Sequence, residues 1–290
     1  MPTNKFSLSW IKLREPFDSV SRSDLLISKY NEKEYNFKNI LDLGGGNGSF
    51  LRWCHSKNII YDNLLIADHD QALLNNFYSI TSKYLSKESI DLIKINTLSY
   101  KFKRKCSAKE SYITLKKQDL LNSMELIKDY DIISLSAVSD LLSKNYIKNL
   151  FEKTGKGKII YFSICFDGRV QWKNKSRYDK YIISMFNQHQ KQEKTLGMAL
   201  GLDSIRVIKD ISFRKGLEMH IADSSWVLNT DSKYSIDFQI AFLNTIYKPL
   251  KNYELVDQDI LKEWFQLKVQ DIALKKSNIV VGHKDLLIIT

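Results

Sequence analysis

The chain has 290 residues, 43% of them hydrophobic and 12% aromatic, enough to bury a core as one large domain or two small ones; a disordered polymer is excluded. Only 11 Gly and 3 Pro exclude collagen-like and proline-rich classes. The net charge of +11 rests on 44 basic residues, of which eight are arginine (14, 22, 52, 104, 169, 177, 206 and 214), so lysine, a solvated point charge, dominates over the forked donor that suits phosphates and bases. With abundant Ile, Asn, Tyr and Phe, this composition reads first as codon bias and second as the mark of a nucleic-acid partner. No apolar run reaches 18 residues, and the N-terminus passes straight to Lys12, Arg14 and Glu15 without a signal-peptide core, so no membrane partner is expected. Cys54, Cys106 and Cys165 are scattered and odd in number; they form neither a disulfide framework nor a metal pair, and fit a reducing cytoplasm.

Short apolar runs alternate with longer helical patterns, which predicts an α/β sheet. Strands are expected at 39–43, 63–67, 111–115, 130–135, 157–166, 217–222 and 278–289, and their continuous apolar runs suit a sheet covered on both faces. Helices are expected at 49–57, 70–86, 143–153, 176–192, 203–213, 234–247 and 257–275. The stretch 87–110 is the hardest to read, its Lys-Phe-Lys-Arg-Lys (101–105) fitting a loop or an edge strand. No linker is visible, so one domain over 1–290 is expected: a helical cap (1–30), a ligand-binding core (36–166), and substrate-side helices with the last strands (167–290).

The strongest local signal is Ile40-Leu41-Asp42-Leu43-Gly44-Gly45-Gly46-Asn47-Gly48-Ser49, between a strand and a helix. A dinucleotide site needs G-x-G-x-x-G, and Ser49 stands where its third small residue belongs. An acid, one residue, then G-x-G-x-G is matched in full by Asp42, Gly44, Gly46 and Gly48. A carboxylate at that strand end repels a pyrophosphate and favours a cationic ligand; S-adenosylmethionine carries an ammonium and a sulfonium and no phosphate. Asp68 follows the second strand, 20 residues past Gly48, where an acid can accept both ribose hydroxyls, with His69 beside the adenosine. Asp119, with Leu120, follows the third strand, where a carboxyl can meet the adenine amino group. Each acid alone reads equally well as a helix cap.

In these features the chain resembles the class I S-adenosylmethionine-dependent methyltransferases over most of its length. The resemblance implies a Rossmann-like, seven-stranded, mostly parallel sheet with the last strand antiparallel, helices on both faces, and helical additions at the N-terminus and in the C-terminal half. It implies cofactor contacts by Asp42, Gly44, Gly46, Gly48, Asp68 and Asp119. Trp10–Pro16, Asp68–Asp70, Ser134–Leu141, Phe186–Gln190 and Val281–Leu287 resemble those of a narrower bacterial group with no assigned substrate.

In this fold the end of the fourth strand, Leu135–Asp140, borders the methyl group, which adds Ser136 to the cofactor set. The Asn/Asp-Pro-Pro-Tyr/Phe motif of amino-methylating enzymes is missing there, and no cysteine follows a proline. Methyl transfer from a sulfonium asks mainly for alignment and, for some acceptors, removal of a proton. Asp140 and His189 are the candidate bases, and Arg14, Arg22 and Arg169 candidate acceptor ligands; a helix cap, a core histidine and surface arginines are the respective structural alternatives. Histidines and cysteines show no metal spacing. Aromatic residues in the helical additions (Trp10, Phe17, Trp172, Tyr178, Phe186 and Trp226) suit a small-molecule pocket. The expected activity is therefore methyl transfer from S-adenosylmethionine to a small, aromatic or hydroxylated acceptor, with an RNA acceptor second and a non-catalytic binder of the cofactor third.

Overall fold

The computed structural model describes residues 7–30, 38–86, 90–104, 110–194 and 197–290. Cys106, Lys105 and the first six residues of the expected cap lie outside that range.

Two helices come first, α1 (Leu8–Ser21), started by the Ser7 side chain accepting from the Trp10 N–H, and α2 (Leu25–Tyr30). Apolar runs then alternate with amphipathic helices: β1 (Asn39–Leu43), α3 (Ser49–Ser56), β2 (Asn63–Asp68), α4 (Gln71–Asn75) and α5 (Phe77–Leu85). A hairpin of β3 (Ile90–Lys94) and β4 (Ser99–Arg104) leads to β5 (Glu110–Lys117), and β6 (Ile132–Ser136), α6 (Lys144–Lys153) and β7 (Ile159–Trp172) follow. The C-terminal half adds α7 (Asp179–Gln190), the short strands β8 (Glu193–Lys194) and β9 (Gly197–Met198), α8 (Ser204–Arg214), β10 (Glu218–Asp223), β11 (Trp226–Leu228), α9 (Lys233–Leu250), α10 (Gln258–Ala273) and β12 (Ile279–Ile289).

The main sheet runs β10-β12-β7-β6-β1-β2-β5-β4-β3, with β11 on the early part of β12. Strands β5, β2, β1, β6 and β7 are mutually parallel, and β12 is antiparallel to both of its long neighbours. This is the Rossmann-like α/β arrangement with a reversed last strand. Among the described residues the sheet has ten strands rather than seven: the β3–β4 hairpin extends the β5 edge, and β11 is a short addition. Period-two alternation divides the core. Ile40, Ile132, Ile159 and Tyr161 face one side with Phe50 and Trp53 of α3 and Phe77 and Leu85 of α5. Leu41, Leu43, Ile133, Leu135, Ile160 and Phe162 face the other with α6 and α8. A third cluster joins the far half of β7 to α7, α9 and α10.

Three elements depart from the sequence reading. The helix expected over 70–86 is broken at Asn76, whose side-chain amide donates to the Ala72 carbonyl. The 101–104 stretch, read as a loop or an edge strand, is neither: it belongs to β4, paired with β5 on one side and with β3, which forms the edge, on the other. Strand β7 continues six residues past its expected end, through left-handed backbone at Ile164 (φ 53°) and Gly168 (φ 88°) and two register shifts against β12. Such bulges bend a strand without ending its pairing. No described helix is long and apolar enough to cross a membrane.

Candidate functional site

The glycine segment leaves β1 under β2. Gly44 and Gly45 donate to the Ala67 carbonyl (2.8 and 3.3 Å), and Gly48 N–H closes the turn on the Gly45 carbonyl (2.9 Å). Gly48 (φ 88°) stands at the N-cap of α3, and a Cβ there would lie 2.9 Å from the Phe77 ring. Gly45 occupies a variable position of the motif, yet a Cβ on it would fall 2.3 Å from Asp42 Oδ2. Asp42 therefore lies directly beneath the turn. It is fully buried, and among the described residues no well-formed hydrogen bond reaches either carboxyl oxygen, the Ser134 hydroxyl lying beside it on the neighbouring strand. Burial pushes its pKa up to about 7, with the Ser134 hydroxyl and the Arg22 charge offsetting only part of the penalty.

Asp42 is the first of several polar groups on the α3 face of an otherwise apolar sheet. Parallel register sets Asp42 beside Ser134 and Ser136 beside Ser163. Into this patch the end of α1 inserts Arg22, which donates through Nη2 to Ser136 Oγ (2.6 Å) and through Nε to Ser163 Oγ (3.2 Å). Its guanidinium lies over the Trp53 and Phe50 rings, 5.0 and 5.5 Å from their centroids. The next residue, Ser23, donates twice to the fully buried Asp285, which also accepts from Tyr161 Oη (2.7 Å) and from the N–H of Ile164 (2.7 Å). One carboxylate on β12 thus holds both the N-terminal segment and the bulge of β7. Just past β6, Ala137 takes a left-handed φ of 55°, held by its N–H on the Ser163 carbonyl. Backbone strain in a non-glycine residue costs of order 1–3 kcal/mol and persists where neighbours over-determine it.

Asp68, at the end of β2, accepts from the N–H groups of Gly46 (2.9 Å) and Asp70 (2.8 Å), with His69 Nδ1 3.4 Å away; burial is the main cause that raises its pKa. His69 is exposed, and Asp70 caps α4. Asp119 caps the short turn of Leu120–Asn122 through the Leu121 N–H (2.9 Å). Asp140 lies in the single turn after β6, Ser139–Leu141. His189, on α7, meets the Tyr253 ring edge-on at 5.2 Å. Arg14 is doubly bonded to Asp18 and lies over Trp226, and the half-exposed Arg169 is held by Asp167. The chain thus brings Asp42, Asp68, Ser136 and Arg22 together with the glycine turn. Asp119 is linked to that group through the register of β2 with β5, while Arg14 and Arg169 are each tied to an acid of their own. Among the described residues no cluster of His, Cys, Asp or Glu could hold a metal ion.

Sequence reasoning missed three participants. Arg52, 1% exposed, forks onto Glu15 of α1 (2.5 and 2.7 Å) and also donates to the Asn47 carbonyl within the turn (2.7 Å), tying α1 to the glycine segment. The signal for it was a charge inside the apolar run Phe50–Cys54. Asp285 had the same signal, an acid before Leu286–Ile289. Gly45 had none, because the motif leaves its position free.

No family model and no curated protein matches the chain. Solved structures do. Phosphoethanolamine N-methyltransferase 2 from Haemonchus contortus is 13% identical with a TM-score of 0.45, covering 99% of this chain and 59% of its own. This chain therefore spans less than two thirds of that protein. The plantazolicin methyltransferase BpumL is 12% identical (TM-score 0.45; 97% of this chain, 88% of its own), and coclaurine N-methyltransferase is 10% identical (TM-score 0.42; 100% and 76%). Likenesses this distant carry no weight for the chemistry of the site, which rests on the turn, the acid beneath it and the polar patch beside it.

Proposed function

We propose that the chain is a methyltransferase that uses S-adenosylmethionine to methylate a small, aromatic or hydroxylated molecule. The observation that carries this reading is the Asp42–Gly48 turn with a buried, unpartnered carboxyl beneath it. A diphosphate on that turn would meet a buried acid, whereas a sulfonium and an ammonium gain from it. The residues fit such a ligand. Gly44 and Gly46 have positive φ, with space above Gly46, the Asp42 carboxyl lacks a donor, and Asp68, anchored by two amides, keeps lone pairs for a ribose diol. Asp119 and Leu120 would border the adenine, with His69 beside the adenosine.

When bound, S-adenosylmethionine supplies a methyl group on a positively charged sulfur. The chain's own part is to orient the acceptor in line with that methyl, exclude water, and accept a proton where the acceptor is an O–H or N–H. Asp140 or His189 would take that proton; Arg14 and Arg169 would hold an anionic acceptor while still bonded to Asp18 and Asp167. Small molecules are favoured over macromolecules because the helical cap covers this end of the sheet.

An RNA acceptor is the second reading. It is supported by a groove of about 720 Å³ between α7 and the far end of β7, with Arg169, Lys173, Lys175 and Lys180 along it. Incubation with methyl-labelled cofactor and a fractionated cell extract separates the two: label is expected in the small-molecule fraction. Label in RNA, with binding that weakens steeply with salt, would replace the first reading with the second.

A further inference from the structure

Arg22 is 3% exposed, yet it makes no ion pair among the described residues. The contrast with its neighbours is direct: Arg14 has Asp18 and Arg52 has Glu15. A buried guanidinium without a counter-charge is costly, and the chain normally supplies one. Here it supplies two neutral hydroxyls, Ser136 and Ser163, which orient the fork and leave Nη1 with no acceptor. The aromatic faces of Phe50 and Trp53 hold the plane of the guanidinium from below.

Asp42 is not the missing partner. The two feel each other's charge, but no hydrogen bond joins them, and both Asp42 oxygens lack donors just as Nη1 lacks an acceptor. The other nearby acid, Asp285, is taken up by Ser23, Tyr161 and Ile164. A cationic donor and a carboxyl group thus lie at one strand end, each unsatisfied. Their complement is a zwitterion with a carboxylate and an ammonium on the same carbon. A planar carboxylate matches the guanidinium fork, and a phosphate there would be opposed by Asp42.

We infer that Arg22 receives the carboxylate of an α-amino-acid group, with Asp42 toward that group's ammonium, so that the site selects ligands by their amino-acid end. The inference rests on the cofactor reading if that end belongs to S-adenosylmethionine; the same chemistry could come from a free amino acid serving as acceptor. Ser136, Ser163 and Ser23 act as positioning residues for the fork.

Calorimetric titration of the full chain with three probes tests this: S-adenosylhomocysteine, its decarboxylated analogue S-adenosyl-3-thiopropylamine, which keeps the amine, and free L-methionine. The wild type is expected to bind the first roughly 10- to 100-fold more tightly than the second, the range for a charge-assisted bond to a buried group. In Arg22→Ala that gap closes while affinity for the decarboxylated analogue holds, and Arg22→Lys lies between. The wild-type comparison needs no variant and stands if Arg22→Ala does not fold. Equal wild-type affinity for both nucleosides overturns the inference and leaves the cofactor reading intact, and so does an equal loss of both in Arg22→Ala. Arg22-dependent binding of methionine without binding of either nucleoside supports the inference, assigns it to an acceptor, and overturns the cofactor reading. No binding of any probe overturns both.

Discussion

At the scale of single residues, the site is defined by polar groups that the fold buries without satisfying. Asp42 is the clearest. An acid whose pKa rises from 3.8 to about 7 on folding is tolerated while protonated, so its ionisation erodes stability as pH climbs from about 4 through 7. Asp42→Asn keeps the shape and removes the ionisation. Denaturant unfolding is expected to show the variant close to the wild type at pH 4 and more stable by about 3 kcal/mol at pH 8. A difference that is the same at both pH values would mean that Asp42 stays ionised beneath the turn. The sequence pointed to Asp42 through its motif, but it suggested an acid facing an open crevice. Its burial follows from Gly45, whose missing side chain is what lets the turn close over the carboxyl.

At the scale of elements, the N-terminal helix is fastened by buried charges as well as by an apolar stripe, in which Trp10 and Phe17 stack on Phe238 of α9. Glu15 meets Arg52, Asp18 accepts from the Trp226 indole N–H (3.0 Å), and Ser23 meets Asp285. Trp226 in turn packs on His283, which burial chiefly, with Arg14's charge, pushes down to about 3 and so keeps neutral. Removing one partner of a buried ion pair leaves the other uncompensated. Glu15→Ala is expected to cost about 3 kcal/mol in unfolding free energy, the low end for such pairs because Glu15 retains some exposure. A loss below about 1 kcal/mol, the range of exposed pairs, would show that α1 is held by packing alone. Most element positions were legible: β1, β2 and β6 are apolar runs between turn residues, and α9 and α10 carry clear helical spacing. The break at Asn76 was not, because one Asn only weakly disfavours a helix interior, and the bond from its side chain to the Ala72 carbonyl is not written in the spacing. The length of β7 was not either, because its bulges depend on Asp285, 121 residues away from Ile164.

At the scale of the whole molecule, the fold follows from two periodicities: strands apolar on both faces and helices apolar on one. The direction and order of the parallel strands put β1, β2, β5 and β6 side by side with their carboxyl ends together. Residues scattered from 22 to 163 meet there, at the crevice where open α/β sheets bind ligands. The hairpin at the β5 edge was hidden by its composition, since alternating Lys and aromatic residues fit an edge strand and a charged loop equally well. Lys173, Lys175 and Lys180 gather along the groove beside α7. The central claim is that the glycine turn, with an acid below it, holds a cationic nucleoside ligand and rejects a diphosphate. Titration calorimetry of the wild type with S-adenosylmethionine and, separately, with NAD⁺, both at millimolar concentration, tests it most directly: saturable heat with the first and none with the second is the predicted result, and saturable heat with NAD⁺ alone would contradict it.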